Sequence, residues 1–177
     1  MKKIFLFLIT GLCLGLTGEI FGEEFKIGYI DIAKVFDEYQ HTKEEDSLLE
    51  KKGTEKETQR EKMVNEIKKL KEELDLASDK VKPEKQKILD EKIKTLQEYD
   101  RTTREDLRKE RDNIVREILK EIDGVIQELG KNEGYTFIFN ERVLLYRVET
   151  YDLTERVIKI LNERYEKKKS GATKEKK

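Results

Sequence analysis

The side chains that could carry out catalysis or hold a metal ion are few in this sequence. Its 177 residues contain one histidine, His41, and one cysteine, Cys13. Zinc sites need several imidazole or thiolate ligands, and nucleophilic catalysis by serine or cysteine needs an adjacent base. Ser47, Ser78 and Ser170 lie in helical or tail sequence rather than on a strand-to-helix turn. The sequence therefore predicts no catalytic residue, no metal site and no enzyme activity.

Nucleotide chemistry and carboxylate chemistry are disfavoured as well. Gly130 and Lys131 are followed by Asn132, and Val125 stands where a phosphate-binding loop needs its first glycine. We therefore predict no cofactor. The 39 acidic residues alternate with 38 basic ones at helical spacing, which indicates solvated faces with ion pairs rather than catalytic carboxylates. His41 stands beside a predicted helix start, and we expect it to be a surface or capping residue.

The composition is dominated by charge. Asp, Glu, Lys and Arg make up 44% of the chain and hydrophobic residues 36%, with one proline and no tryptophan. This disfavours a compact single-core enzyme and is typical of long solvated helices. The net charge of −1 argues against disorder driven by self-repulsion, and it leaves no positive excess for binding nucleic acid.

The first 22 residues have the form of a cleavable secretory signal peptide. A basic start precedes an apolar run over 4–16, whose 13 residues fall short of the roughly 20 that a membrane-spanning helix needs. We expect cleavage after Gly22, with Gly18 as the alternative. An uncleaved membrane anchor is the competing interpretation. Removal of the signal leaves a chain without cysteine.

Residues 25–39 predict a strand followed by a short helix. Phe25, Ile27 and Tyr29 alternate with other residues, so they lie on one face of a strand over 25–31. Apolar residues at helical spacing then predict a helix over 32–39.

The other end of the chain predicts two further strands and a final helix. Residues 135–139 and 143–148 are rich in aromatic and aliphatic side chains, and 140–142 predicts the turn of a β-hairpin between them. A capping box at 152–155 predicts the start of the final helix.

Together the two ends predict a discontinuous β-rich body over 23–41 and 132–165. A body of this size rarely buries enough core to be stable alone. The body carries more apolar side chains than a monomer can easily bury, so we expect the protein to oligomerise through it. The residues assigned to that contact are Phe25, Ile27, Tyr29, Phe137, Phe139 and Leu145.

Between these ends, residues 42–131 predict a long helical hairpin. A capping box at 42–45 starts the first helix, and Pro83 lies in a turn near 77–84. Each helix carries a sparse heptad seam, so the two would pack as an antiparallel coiled coil. A helix broken at Pro83 without folding back is the alternative. The seams are Met63, Ile67, Leu70, Leu74, Ala77 and Val81, then Leu89, Ile93, Leu96, Leu107, Ile114, Ile118, Ile122, Val125 and Leu129.

The middle of this hairpin is predicted to be its least stable and most easily bent part. Residues 50–62 include Gly53 and almost no large apolar side chain, and 102–112, which would lie opposite, has Leu107 alone. A glycine costs about 1 kcal/mol in a helix interior. We therefore expect bending and early proteolysis near Gly53 and within 101–111.

Charge is unevenly distributed along the chain. Residues 37–75 carry 13 acidic and 9 basic side chains, whereas the predicted tip at 80–94 carries six lysines against three acidic residues. A basic tip could contact anionic lipid or clients, and a purely solubilising role is the alternative. Residues 166–177 predict a disordered basic tail. The lysines assigned to the tip contact are Lys80, Lys82, Lys85 and Lys87.

Four short motifs mark the order of the elements at the two ends. They are Lys-Ile-Gly-Tyr-Ile-Asp at 26–31 with Val35-Phe36, Tyr-Thr-Phe-Ile-Phe-Asn at 135–140, Val-Leu-Leu-Tyr at 143–146 and Asp-Leu-Thr at 152–154. With the charged hairpin between them, this order resembles the Skp (OmpH-like) family of periplasmic chaperones over essentially the whole chain after the signal.

The resemblance implies an α+β fold in which three chains join their strands into a small trimerisation body, with three helical hairpins around a cavity. Family members use that cavity in the periplasm to hold unfolded outer-membrane β-barrel proteins without ATP. The best-known members are markedly basic, whereas this chain has a net charge of −1. A structural coiled-coil envelope protein, which spaces or tethers surfaces without chaperone activity, is the alternative.

Overall fold

The computed structural model describes residues 25–174, with side chains described as far as Gly171. The predicted signal peptide and both of its cleavage sites lie outside the described residues. The strand and helix predicted over 25–39 are confirmed, and a strand is also present where 135–139 predicted one. In chain order the elements are β1 (Ile27–Ile30), α1 (Ile32–Glu38), α2 (Gln40–Asp75), α3 (Lys82–Glu133), β2 (Phe137–Asn140) and α4 (Thr154–Lys174).

The two strands form a parallel sheet, although α1, α2 and α3 lie between them in the chain. Ile27 is the partner of Phe137, and Ile30 is the partner of Asn140. On its other side β1 joins the segment before α4, where the Leu153 N–H donates to a β1 carbonyl at 2.9 Å. The sheet therefore gathers both ends of the chain into one place.

The predicted β-hairpin is wrong, because residues 143–148 form no strand. Asn140 ends β2, and its side-chain oxygen accepts a hydrogen bond from the Arg142 N–H at 3.2 Å. This bond turns the chain into one turn of 3-10 helix at Glu141–Val143. β2 pairs with β1 instead, so the described sheet has two strands rather than three.

The start of α2 also differs from the prediction. The helix begins at Gln40, and Thr42 is buried in its first turn, where its hydroxyl has no partner among the described residues. The predicted capping box at 42–45 is therefore wrong. A distant element supplies the cap, because the side-chain oxygen of Asn162 in α4 accepts a hydrogen bond from the Gln40 N–H at 2.8 Å.

Proline and glycine limit α3 at its two ends. Pro83 occupies the first turn of the helix, where the missing N–H leaves no intrahelical bond unmade. Gly134 follows the last helical residue with φ of 69°, in the left-handed region that favours glycine. The chain can therefore leave α3 abruptly and enter β2.

The hydrophobic core joins α1, α4 and the C-terminal part of α3. Gly28 of β1 lies where space is short, since a Cβ there would be 2.5 Å from Leu153 Cδ1. Part of this core falls within 42–131, the range predicted for the hairpin, so the end of α3 shares its packing with both chain ends. The most deeply buried side chains are Ile30, Val35, Ile118, Ile122, Val157 and Leu161.

The prediction of a disordered tail is wrong for residues 166–174. α4 continues through them to Lys174. Tyr165 and Lys169 both contact Glu44 of α2, although residues 166–171 are exposed.

Candidate assembly face and helical arm

Exposed apolar side chains from β1, β2 and the segment before α4 form what we call the assembly face. Phe137 stacks on Phe25 with ring centroids 6.5 Å apart and on Phe139 with centroids 5.8 Å apart. Large apolar side chains exposed together mark protein–protein contacts. The face comprises Phe25, Ile27, Phe137, Phe139, Leu145, Tyr146, Val148 and Tyr151.

The body has an apolar groove and an open strand edge. The groove has a volume of about 470 Å³ and is lined by Phe25, Ile27, Phe139, Tyr146 and Tyr151, among others. Within the described residues, β2 pairs with β1 and with no other strand. An unpaired edge offers backbone N–H and C=O groups to another chain. The apolar groove and the open edge both favour association through the body.

Tyr29, which was predicted with the oligomerisation residues, is buried and 3% exposed. It lies in the wall of the groove, and the Arg147 guanidinium lies 5.7 Å from its ring centroid. The segment before α4 covers this end of β1, because Leu153 bonds to the Tyr29 carbonyl. The alternation of Phe25, Ile27 and Tyr29 along the strand therefore does not make the Tyr29 side chain exposed. The other predicted residues are exposed: Phe25, Ile27, Phe137, Phe139 and Leu145.

The parts of α2 and α3 beyond the core, which we call the arm, lie side by side and antiparallel. In the apolar seam, Ile67 and Leu89 are buried, while Met63, Leu70 and Leu74 are half-buried. Exposed ion pairs contribute little each, so the arm is a loosely held element. The ion pairs that join α2 to α3 are Lys85 with Glu73, Lys92 with Glu66, Arg60 with Asp100, and Lys52 with Glu110.

The middle of the arm contains a polar cavity of about 370 Å³. Gly53, Arg60, Arg104 and Leu107 help to line it, and the Tyr99 hydroxyl donates to a backbone carbonyl of α2 at 3.1 Å. The cavity is open to solvent, so the side chains that line it do not pack against one another across it. This level lies within the two stretches that the sequence marks as poor in apolar residues.

The four lysines predicted at the tip lie in the turn after α2 and in the first turns of α3. The Lys82 ammonium lies 3.7 Å from an Asp79 carboxylate oxygen, and Lys85 is bonded to α2. Lys80 and Lys87 are exposed. Among these four lysines, Lys80 and Lys87 form no ion pair with a carboxylate in the described part of the chain.

His41 and Glu121 lie at the centre of a polar cluster where α2, α3 and α4 meet, which we call the arm root. His41 Nδ1 is 3.0 Å from a Glu121 carboxylate oxygen, and the Tyr39 hydroxyl donates to that oxygen at 2.8 Å. The His41 ring stacks on Tyr165 at 4.7 Å, and its Nε2 is 3.6 Å from Glu45. The expectation of a surface or capping histidine is wrong, because its side chain is 16% exposed.

The arm root favours the ionised form of Glu121 and the neutral form of Tyr165. Burial alone favours the protonated form of Glu121, but hydrogen bonds from His41 and Tyr39 outweigh it and hold the pKa of Glu121 below its ordinary value. Burial and a hydrogen bond to a second glutamate raise the pKa of Tyr165 to about 12. The sequence gives no signal for this cluster, because α3 and α4 bring its members together from distant positions.

The described residues were also compared with the requirements of metal sites and membrane spans. Over residues 25–171, no group of His, Cys, Asp and Glu is arranged to hold a metal ion. Within the same part of the chain, no helix combines the length and the apolar character needed to cross a membrane.

The fold and its surfaces define a class of protein in which a small body, built from both chain ends, carries a long helical arm. The family model for outer membrane protein (OmpH-like) matches residues 26–161, and the chain belongs to that family. The resemblance found in the sequence is thereby confirmed. No curated protein matches this sequence.

A solved structure from Caulobacter crescentus CB15 has the same fold. It is a crystal structure of a protein provisionally described as an outer membrane chaperone (OmpH-like). The TM-score is 0.74 at 11% sequence identity, over 79% of this chain and 85% of that chain. At this identity the similarity shows the shared fold alone.

Proposed function

We propose that this protein is an ATP-independent holdase chaperone of the periplasm, which encloses unfolded outer-membrane β-barrel proteins between the arms of a homotrimer. The observation that carries the proposal is the separation of two surfaces, an apolar assembly face on the body and a loosely packed, charged arm. Membership of the OmpH-like family and the chaperone description of the Caulobacter protein support this interpretation.

Assembly through the body would leave the arms free. The assembly face and the open edge of β2 are both on the body, so burying them against two further copies does not use the arm. In a trimer joined through the bodies, the three arms would surround a central space. The division into a body over 23–41 and 132–165 and an arm over 42–131 is part of this proposal.

The arm offers many weak contacts rather than one binding site. Exposed apolar side chains such as Leu48, Val64 and Ile88 are scattered among charges. Surfaces of adaptable, individually weak contacts suit partners that share no sequence. An unfolded β-barrel protein, with alternating apolar residues and no fixed shape, is such a partner.

The holdase activity is tested by diluting a urea-unfolded outer-membrane β-barrel protein into buffer with and without the mature protein. Light scattering is expected to be suppressed at one trimer per client, without ATP. Scattering that stays the same as in buffer alone would instead favour the structural envelope protein.

The trimer is tested by sedimentation at micromolar concentration. The mature chain is expected to sediment as a trimer, and Phe137→Asp is expected to dissociate it, because a buried unpaired charge at the assembly face is costly. Val64→Asp on the arm is the matched control and should remain trimeric. A monomer in the unmodified protein would contradict the assembly.

We further propose that the tip contacts anionic lipid. Leu76 at the end of α2 is 89% exposed, and Lys80 and Lys87 are exposed in the following turn and at the start of α3. The end of the arm therefore carries both an apolar side chain and positive charge. Flotation with phosphatidylglycerol vesicles is expected, and neutral phosphatidylcholine vesicles should not bind. The charge reversal Lys80→Glu with Lys87→Glu should abolish flotation. Unchanged flotation of that variant would exclude the tip as the lipid-binding surface.

Export is tested at the N-terminus of the protein in cells. Mass spectrometry of the periplasmic fraction is expected to show a chain that begins at Glu23, which follows cleavage after Gly22. An intact Met1 in a membrane fraction would favour the anchor.

A further inference from the structure

We propose that residues 162–169 of α4 form a brace that fixes the angle at which the arm leaves the body. The brace would act as a positioning device, because it contacts both helices of the arm at the arm root. The inference goes beyond the proposed function, since it concerns how the arm is held and not what the arm holds.

Contacts of the brace with α2 begin at the first residue of that helix. The side-chain oxygen of Asn162 accepts the Gln40 N–H, which has no cap from its own sequence. One turn further along, the Tyr165 hydroxyl donates to Glu44 at 3.0 Å, and the Lys169 ammonium donates to both oxygens of the same carboxylate at 2.7 and 2.9 Å. The hydrogen bond from Lys169 lowers the pKa of Glu44.

Contacts of the brace with α3 lie on the same turns of α4. Arg164 donates to a Glu128 carboxylate oxygen at 2.7 Å, and the Lys168 ammonium lies 3.9 Å from Glu121. Residues that bind α2 and residues that bind α3 therefore alternate within two turns. A change in the angle of either helix has to break contacts of this one segment.

Apolar packing is incomplete at the arm root. The polar contacts of the brace therefore matter more for holding the helices in place. A cavity of about 320 Å³ lies between α3 and α4, with Tyr39, Gly124, Leu161 and Arg164 among the residues that line it. A Cβ on Gly124 would meet no atom within 4 Å. Because this space is open to solvent, the part-buried hydrogen bonds of Asn162 and Tyr165, together with the weaker exposed ion pairs, set the angle.

The brace lies outside the part of the chain that matches the family. The match ends at residue 161, whereas all five side chains that contact the arm come after it. Leu161, the last matched residue, is buried in the core. The brace therefore follows directly after the last matched and buried turn of α4.

Small changes at the arm root would be amplified at the tip. α2 has 36 residues, which corresponds to about 54 Å at about 1.5 Å per residue. A rotation of about 10° at the root would then move the tip by about 9 Å. The brace thus controls the position of the tip through a few side chains.

The first test measures the arm angle by double electron–electron resonance. Spin labels at Asp79→Cys and Thr136→Cys report the distance from tip to body, and dilution with unlabelled protein isolates the distance within one chain. The distribution is expected to broaden in Arg164→Ala with Lys169→Ala. Lys159→Ala with Lys167→Ala, which removes the same charge from exposed positions of α4, should leave it unchanged.

The second test uses a neutral variant and needs no labels. In Asn162→Ala, hydrogen exchange of the amides from Gln40 to Glu44 is expected to accelerate about fivefold, the typical effect of losing a helix cap. Exchange in the outer arm should stay the same. Unchanged distances in the double variant together with unchanged exchange in Asn162→Ala would overturn the brace. Equal broadening in the control pair would overturn it too, because charge alone would then be the cause.

Discussion

The body and the arm of this protein are built by different forces. In the body, side chains such as Val35, Ile122 and Val157 are 2% exposed or less. In the arm, a thin apolar seam is supplemented by ion pairs between α2 and α3, and a polar cavity interrupts it. This difference indicates that the body provides stability and that the arm provides adaptability. Most of the charged residues of the sequence lie in the arm.

Truncation of core residues should give the largest difference between the two regions. Ile122→Ala in the body is expected to lower the free energy of unfolding by about 3 kcal/mol, since it removes a fully buried side chain and leaves a cavity. Leu70→Ala in the half-buried seam of the arm should cost clearly less. Urea unfolding monitored by circular dichroism measures both, and equal losses would contradict the comparison.

Two glycine substitutions should act in opposite directions. Gly28→Ala in the body is expected to destabilise by about 1–3 kcal/mol, because its Cβ would press on the buried Leu153. Gly53→Ala in the arm meets nothing within 4 Å and should stabilise by about 0.5–1 kcal/mol through helix propensity. Thermal unfolding compares the pair. Destabilisation by Gly53→Ala would show that the arm is packed more tightly than described.

The boundary between the regions contains a buried hydroxyl that can be removed. Thr42→Val keeps the shape of the side chain and is expected to stabilise by about 1 kcal/mol, because the Thr42 hydroxyl has no hydrogen-bond partner among residues 25–171. Denaturant midpoints measure the gain. Thr42→Ser, which keeps the hydroxyl and loses the methyl group, is the control and should destabilise; a loss in Thr42→Val would indicate a bound water.

Acid should weaken the arm root before it affects the apolar core. The pKa of Glu121 is lowered in the folded protein, so its contribution to stability is present above its unfolded pKa of about 4.3 and is lost as the pH falls. Glu121→Gln should therefore be less stable than the unmodified protein at pH 7, with the difference narrowing toward pH 3. Melting temperatures across that range measure it, and a constant difference would contradict the role of the carboxylate.

Local patterns in the sequence predicted the parts of the fold that depend on local physics. β1 and α1 followed from alternation and helical spacing, and Pro83 marked the start of α3. The residues after β2 were mispredicted because Asn140 forms a local turn, whereas β2 finds its partner far away in the chain. The apolar residues of 143–148 predicted a partly buried strand, but Val143, Leu145 and Tyr146 are exposed. Their cover by another copy is part of the proposed assembly.

Contacts between distant polar residues could not be predicted at all. Thr42 has the right neighbours for a capping box, yet the cap of α2 comes from Asn162. His41 was placed on the surface because nothing in its own segment shows that Glu121 and Tyr165 will lie beside it. Most of the candidate assembly face was predictable because exposed aromatic residues are conspicuous in a chain with so few apolar side chains.

Light scattering coupled to size-exclusion chromatography tests the central claim most directly, since one run gives both assembly and client capture. The mature protein mixed with a urea-unfolded outer-membrane β-barrel protein is expected to elute as a soluble complex with the mass of three chains and one client. The protein alone should have the mass of three chains. A monomer peak with the client lost to aggregation would contradict the account.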